Sequence, residues 1–291
     1  RNPDLSPRES VTLSPRRQPL LKLGIIGCGN IGQFIMRNLS REEFRQFSLR
    51  VVADIPAAEA KLRELAATYG CDYTTEPLDL AYRGLDVVME CAAPAAAKKY
   101  APTMLRAGLN MVVMSVGAFA DPDLMREVQS AAEEGNSRVY LPTGGIAGLD
   151  HLKAACLSGM QEATLVMLKS PKSLAGAPFF QDHPVDLFAI RQPTLIFEGN
   201  AEAIKGFPQN TNAAVSFSLA TLGPDKTRIE VICDPTVAEI RFQIRAKSGA
   251  GEIKVDLVNL QSPDNPRTSY KSCCSALATL KRLTDRVQLG T

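Results

Sequence analysis

Apolar residues in the first half of the chain fall in short unbroken runs separated by stretches of helical spacing. Leu21–Gly27, Leu49–Asp54, Leu85–Glu90, Asn110–Ser115 and Ser137–Pro142 are such runs. A strand buried on both faces reads this way, because neither side chain direction meets water. Between the runs, Gln33–Leu39, Ala57–Tyr69, the segment CAAPAAAKKYAPTMLRAG up to Gly108, and Pro122–Glu134 carry the period of helices. Strands alternating with helices predict a doubly wound parallel sheet.

The texture changes near residue 147. Gly148–Gln161 reads as a helix, after which strands dominate: Ala163–Lys169, Thr194–Glu198, Thr227–Cys233, Glu239–Arg245 and Gly251–Leu260. Within DPTVAEIRFQIRAKSGAG, Ile240, Phe242 and Ile244 alternate with Glu239, Arg241, Gln243 and Arg245, the signature of a strand with one buried face. Thr268–Leu283 reads as a closing helix. The expected organisation is therefore an α/β chain: a disordered arm over 1–19, a Rossmann-type domain over 20–146, an α+β domain with a mixed or antiparallel sheet over 147–267, and a helix over 268–291 that returns to the first domain.

Composition narrows the function classes. A formal net charge of +2 and the lack of any Lys/Arg run give no electrostatic case for nucleic acid. No apolar run approaches the roughly 20 residues of a membrane span. The seven cysteines are scattered, with no CxxC pair and no metal-ligand spacing, which implies reduced thiols, a cytoplasmic protein and no metal. The polar arm RNPDLSPRESVTLSPRRQP lacks periodicity, and Asp4 and Glu9 argue against a targeting leader.

The chemistry begins at LGIIGCGNIGQ, which places Gly27, Gly29 and Gly32 in the spacing GxGxxG around Asn30 and Ile31. Such glycines permit a tight turn, close approach of backbone to a pyrophosphate, and close helix–strand packing. The following helix offers unpaired N–H groups to the anion. A glycine-rich turn alone would be the bland reading, but a strand precedes it and Asp54 closes the next strand at the interval expected for a ribose-binding acid. Asp54 would repel a 2′-phosphate, and DIPAAEA brings no arginine to accommodate one, so NAD is expected, with NADP the alternative. A plain helix-capping role for Asp54 is the competing reading. Cys91, Ala92, Ala93, Ser115, Val116 and Gly117 follow two of the predicted strands, where ligands of open α/β sheets sit, and would edge the cofactor. Cys91 reads as a small lining residue before it reads as a nucleophile, since no His lies nearby in sequence.

Beyond the glycines, GCGNIG, ECAAP, MSVGAFAD, LPTGGIAGLD, LKSPKSLAGAP, IFEGNAEAIKGFPQNTNAA and SPDNPRTSY together resemble the L-aspartate dehydrogenase family, NAD(P)-dependent enzymes that interconvert aspartate and iminosuccinate. The resemblance covers both lobes. It implies a homodimer or homotetramer with the active site between lobes, acting on a small amino acid or its 2-oxo acid. It also implies cofactor contacts from Gly145 and Ala147 of LPTGGIAGLD and from Asn212, and a substrate-facing basic residue at Lys172. The residues agree in type, because Lys169, Lys172, Asn210 and Asn212 sit near Pro- and Gly-bearing loops suited to anion and amide recognition. A solvated loop face is the alternative for the lysines.

The departure lies in the strand around Phe242. The resemblance implies an Asn and a His two residues apart there, and those positions fall on Ile240 and Phe242, neither of which can relay a proton. Losing that histidine would weaken oxidative deamination, where water must be activated, more than reduction of a protonated imine. The chain's only histidines are His151 and His183. His151 reads as a capping or surface residue. His183, beside Asp182 in FFQDHPVDL, is the best substitute acid if its loop reaches the cleft, and a surface residue otherwise. Three readings follow: an NAD-dependent amino-acid dehydrogenase; a degenerate nucleotide-binding sensor or partner subunit; and a dehydrogenase whose substrate packs a more apolar side chain on Phe242.

Overall fold

The computed structural model describes residues 20–201, 203–208 and 211–290; the arm expected over 1–19 and the candidate Asn210 lie outside them. The chain opens with β1 (Leu21–Ile26), α1 (Asn30–Asn38), β2 (Phe47–Ala53), α2 (Glu59–Tyr69) and β3 (Asp72–Thr74). It continues through β4 (Val87–Glu90), α3 (Pro94–Arg106), β5 (Asn110–Val113), α4 (Pro122–Glu134) and β6 (Val139–Tyr140). Every pairing among these six strands is parallel, in the order β3-β2-β1-β4-β5-β6. That is the order of a Rossmann sheet, in which the strand succession reverses between β1 and β4 and leaves a crevice beyond their carboxyl ends.

Then come α5 (Leu149–Cys156), β7 (Met160–Lys169), the single turns α6 (Pro171–Leu174) and α7 (Phe179–Asp182), β8 (Thr194–Gly199) and α8 (Thr211–Leu219). The chain ends with β9 (Arg228–Cys233), β10 (Ile240–Ser248), β11 (Gly251–Asn259), the short hairpin β12 (Gln261–Ser262) and β13 (Asn265–Ser269), and α9 (Tyr270–Thr284). The second sheet has the order β11-β10-β7-β9-β8. It is mixed: β7 and β9 run parallel, while β10 pairs antiparallel with both β7 and β11, and β8 pairs antiparallel with β9.

Two apolar layers sandwich the first sheet. Tyr100, Met104 and Leu105 of α3 join Leu124 and Val128 of α4 on one face. Phe34 and Ile35 of α1 and Leu62 of α2 lie on the other, where Cys273, Ala276, Leu277 and Leu280 of α9 complete the layer. The second lobe buries one face of its sheet, including Leu165, Met167, Phe242 and Ile244. α8 serves both lobes, because Val215 enters the first lobe's core while Ala214 and Phe217 enter the second's. It is the mechanical link that sets the two sheets around the cleft.

Two local expectations are corrected. The helix expected over Gly148–Gln161 stops at Cys156, because Gly159 turns the chain in the left-handed region (φ +83°) and β7 begins at Met160. α8 was not anticipated, since its Asn-, Ser- and β-branched-bearing sequence has modest helix propensity; burial between the lobes overrides that local preference. Among the described residues no helix is long and apolar enough to cross a membrane, and no group of His, Cys, Asp and Glu is placed to hold a metal.

Candidate active site

The glycine turn lies where β1 meets α1, and each glycine is fixed by a different constraint. Gly27 has φ +92°, and a Cβ there would stand 2.6 Å from the Ala92 nitrogen. A Cβ on Gly32 would meet the Gly27 carbonyl oxygen at 2.1 Å, so α1 packs directly on the turn. Gly29 faces open space and caps α1 with no side-chain hydrogen bond, leaving first-turn N–H groups for a ligand. The Asn30 side-chain nitrogen is buried and lacks a hydrogen-bond partner. A buried donor without an acceptor is costly unless a ligand supplies one, and the pyrophosphate of a dinucleotide fits this place by charge and by shape.

Asp54 sits at the end of β2. Its carboxylate accepts from the backbone N–H of Cys28 at 2.8 Å and from that of Ile55 at 2.8 Å. The acid therefore holds the glycine turn as well as presenting acceptor capacity at the sheet edge, where a ribose would lie.

A second carboxylate, which sequence reasoning did not single out, organises the other side of the crevice. Glu90 ends β4 and is fully buried. Its oxygens accept from the backbone N–H groups of Ala92 (2.8 Å), Ala93 (3.0 Å) and Ser115 (3.0 Å) and from the Ser115 hydroxyl (2.9 Å). Burial pushes its carboxyl above the ordinary value, against the pull of the Ser115, Ala92 and Ala93 donors. The bonds tie the Cys91–Ala93 loop to the end of β5, so the two loops expected to edge a cofactor are held as one unit. An acid at the end of an otherwise apolar buried strand was the available signal. The Cys91 thiol is pushed well up by burial, then by Glu90, which keeps it protonated and removes it as a nucleophile.

Across the cleft, α8 brings Asn212 to this unit. Its side-chain oxygen accepts from Gly117 N–H at 2.8 Å, and its amide donates to the Met114 carbonyl at 3.4 Å. Gly145 is positioned from the far side, where Asn259, fully buried, donates to its carbonyl at 2.6 Å. Ile31, Met114 and Val116 from the first lobe meet Gly145, Lys169, Asn212, Ile240, Phe242 and Ser269 around one cavity. Ala147 lines an adjoining cavity with Val116 and Ser216. The cavity is contiguous with the glycine-turn helix through Ile31 and with the Glu90 unit through Met114 and Val116, as a nicotinamide-and-substrate chamber requires.

Lys169 is the one ionisable side chain lining this cavity among the described residues. Ala163, Leu165 and Met167 precede it on the core face of β7, and the same two-residue parity carries Lys169 inward, to 9% exposure. Burial pushes its ammonium down to about 8. Its Nζ lies 5.9 Å from the centre of the Phe242 ring. Phe242 is buried, and Ile240 lines the same wall.

Neither His183 nor Lys172 is brought to this cavity. His183, the substitute acid if its loop reached the cleft, does not line the cavity: its ring stacks on Phe179 at 4.4 Å and its Nδ1 lies 3.2 Å from the Phe179 carbonyl oxygen. It lines a separate surface hollow with Phe197 and Glu198, because the turn α7 folds back on the second lobe's aromatic cluster. Lys172, one helical turn beyond the strand end, is exposed on α6 and does not line the cavity. His151 is exposed on α5.

Comparison with known proteins places these features in a family context. Residues 150–283 match the family described as aspartate dehydrogenase, C-terminal, and residues 27–142 match homoserine dehydrogenase, NAD binding domain. The L-aspartate dehydrogenase of Methanosarcina acetivorans is 37% identical over 274 residues, covering 94% of this chain and 100% of that protein. The L-aspartate dehydrogenase of Methanosarcina barkeri is 37% identical over 277 residues with the same coverage. Among solved structures, an aspartate dehydrogenase from Thermotoga maritima superposes with a TM-score of 0.70 at 26% identity, over 93% of this chain and 99% of that one.

Proposed function

The chain belongs to the L-aspartate dehydrogenase family, and on that premise we propose that its cleft interconverts L-aspartate with the corresponding imine and, through it, the 2-oxo acid. It is an NAD-dependent amino-acid dehydrogenase. Bound NAD supplies the hydride acceptor in one direction and, reduced, the donor in the other. The protein's contribution is to hold, orient and desolvate.

In this reading the first turn of α1, with Gly27, Gly29, Asn30, Ile31 and Gly32, holds the pyrophosphate, and Asp54 takes the adenosine ribose and disfavours a 2′-phosphate. Cys91, Ala92, Ala93, Ser115, Val116 and Gly117 edge the nicotinamide side, with Gly145, Ala147 and Asn212 closing it. The observation that carries the proposal is the single chamber in which Ile31 beside the glycine turn, Asn212 from α8 and the wall of β10 meet. A homodimer or homotetramer is proposed on the family resemblance, and sedimentation velocity reads the assembly directly.

The test is loss of NADH absorbance in the presence of oxaloacetate and ammonia, then of other 2-oxo acids with ammonia. Turnover highest with oxaloacetate supports the proposal. A specific observation favours a second reading: Ile240 and Phe242 make the cavity wall apolar, and both histidines lie elsewhere. A degenerate nucleotide-binding protein would bind NADH tightly yet oxidise it with no member of the panel. It would gain aspartate activity when Ile240→Asn and Phe242→His are combined.

A further inference from the structure

We propose that the ε-amine of Lys169 is the group that moves protons to and from the reacting substrate in this cleft, the work the family resemblance gives to a histidine at the position of Phe242. The inference rests on the dehydrogenase reading above.

Strand parity carries Lys169 into the chamber, where the other lining residues cannot ionise. Its Nζ stands over the ring of Phe242, so amine and phenyl share one wall of the cavity. Among the described residues it makes no ion pair and no side-chain hydrogen bond. The charged and titratable groups of the surrounding elements are engaged elsewhere or neutral. On β9, the neighbouring Cys233 is a buried thiol pushed up by desolvation and then by Asp234. Asp234 accepts from the Thr236 N–H and hydroxyl. On β10, Arg241 pairs with Glu239. α8 presents Asn212 and Ser216, and the segment from Thr268 to Ser272 presents hydroxyls. Nothing here holds the lysine permanently charged. Burial places its protonation equilibrium at about 8, although the ring face favours the cation.

A lysine serving only as an anchor for a substrate carboxylate gains from staying charged; one that exchanges protons needs both forms accessible near working pH. The chemistry balances without any further reactant. In the deaminating direction, water oxygen bonds to the imine carbon of the protonated imine while neutral Lys169 takes one water proton, leaving a carbinolamine and an ammonium. The ammonium returns that proton to the substrate nitrogen, the C–N bond breaks, and the hydroxyl proton leaves with ammonia as ammonium ion. The products are the 2-oxo acid and neutral Lys169.

The test uses the full chain and its Lys169→Met and Lys169→Arg variants. The profile to read is kcat/KM against pH, because it reports the free enzyme. For aspartate oxidation the wild type shows an inflection near pH 8 in addition to that of the substrate's own amine. Lys169→Met loses that inflection and falls by about 100-fold or more, while NADH affinity by fluorescence stays within about threefold. Lys169→Arg falls equally, since a guanidinium keeps the charge but does not release a proton. Competitive acetylation read by peptide mass spectrometry places the wild-type amine midpoint near 8. An arginine variant within about threefold of wild type shows that charge alone suffices and overturns the proposal, as does a methionine variant at wild-type rate. An acetylation midpoint at the ordinary 10.5 overturns it as well. If the wild type binds NADH but turns over nothing, the dehydrogenase reading fails and carries this one with it, a pattern distinct from an active wild type with an equally active methionine variant.

Discussion

The side-chain oxygen of Asn212 accepts a hydrogen bond from the backbone N–H of Gly117 at 2.8 Å, joining a helix of the second lobe to the loop that ends β5. The bond is possible because α8 is buried by both cores and because Gly117 has no side chain: a Cβ there would stand 2.8 Å from the same oxygen. Asn212→Ala leaves the half-buried Gly117 N–H to solvent. The expected cost is about 0.5–1.5 kcal/mol, read as a roughly two- to tenfold weakening of NADH in a fluorescence titration. An unchanged affinity would show that the contact does not shape the cofactor site.

Glu90 makes a stronger demand. Removing it strands the N–H and hydroxyl of Ser115 in a buried place and releases the N–H groups of Ala92 and Ala93 at the loop surface. Glu90→Ala is expected to destabilise by about 3 kcal/mol or more in urea unfolding and to weaken NADH binding, because both loops lose their common anchor. Glu90→Gln keeps the shape but aims an amide N–H₂ at some of those donors, so an intermediate loss is expected. If neither variant loses cofactor affinity, the clasp is structural only.

The glycine turn separates stability from binding. Gly32→Ala places a methyl 2.1 Å from the Gly27 carbonyl, so the fold itself suffers, by about 2 kcal/mol or more. Gly29 has an ordinary φ of −73° and open space before it, so Gly29→Ala keeps its thermal midpoint. The same methyl intrudes where a pyrophosphate must approach, and NADH affinity falls by about tenfold or more. Equal losses of stability in both variants would contradict this assignment of roles.

Lys169 also sets a pH dependence of stability. Its folded protonation midpoint, about 8, lies below the ordinary 10.5, so between those values the unfolded chain binds the extra proton. Stability contributed by this residue therefore rises with pH through that window, and the burial penalty is fully present below it. Lys169→Met is expected to be more stable than wild type at pH 7, by roughly 3 kcal/mol. The advantage should shrink as pH rises from 8 to 10.5. A constant difference across the range would mean that the amine is not desolvated.

Much of this was legible in the residues. Unbroken apolar runs fixed the parallel sheet, and Pro122–Glu134 was bounded correctly because Asp121 caps it and Pro122 begins it. GxGxxG and Asp54 located the turn because each residue type has few substitutes there. What failed was the arrangement in space of side chains in irregular segments. His183 lies in a loop whose direction is set by the Phe179, Phe197 and Phe207 cluster, which spans residues far apart in sequence. The resemblance points to Lys172, whereas the alternation of Leu165, Met167 and Lys169 along the strand turns Lys169 inward. α8 was missed because its helicity comes from two cores that exist only after folding.

The most direct measurement follows the transferred hydrogen. The protein is incubated with oxaloacetate, ammonia and NADH carrying deuterium on both faces of nicotinamide C4, and the products are analysed by mass spectrometry. The account predicts L-aspartate bearing one deuterium at Cα. Formation of no aspartate, or of aspartate without the label, by protein that demonstrably binds NADH would contradict it.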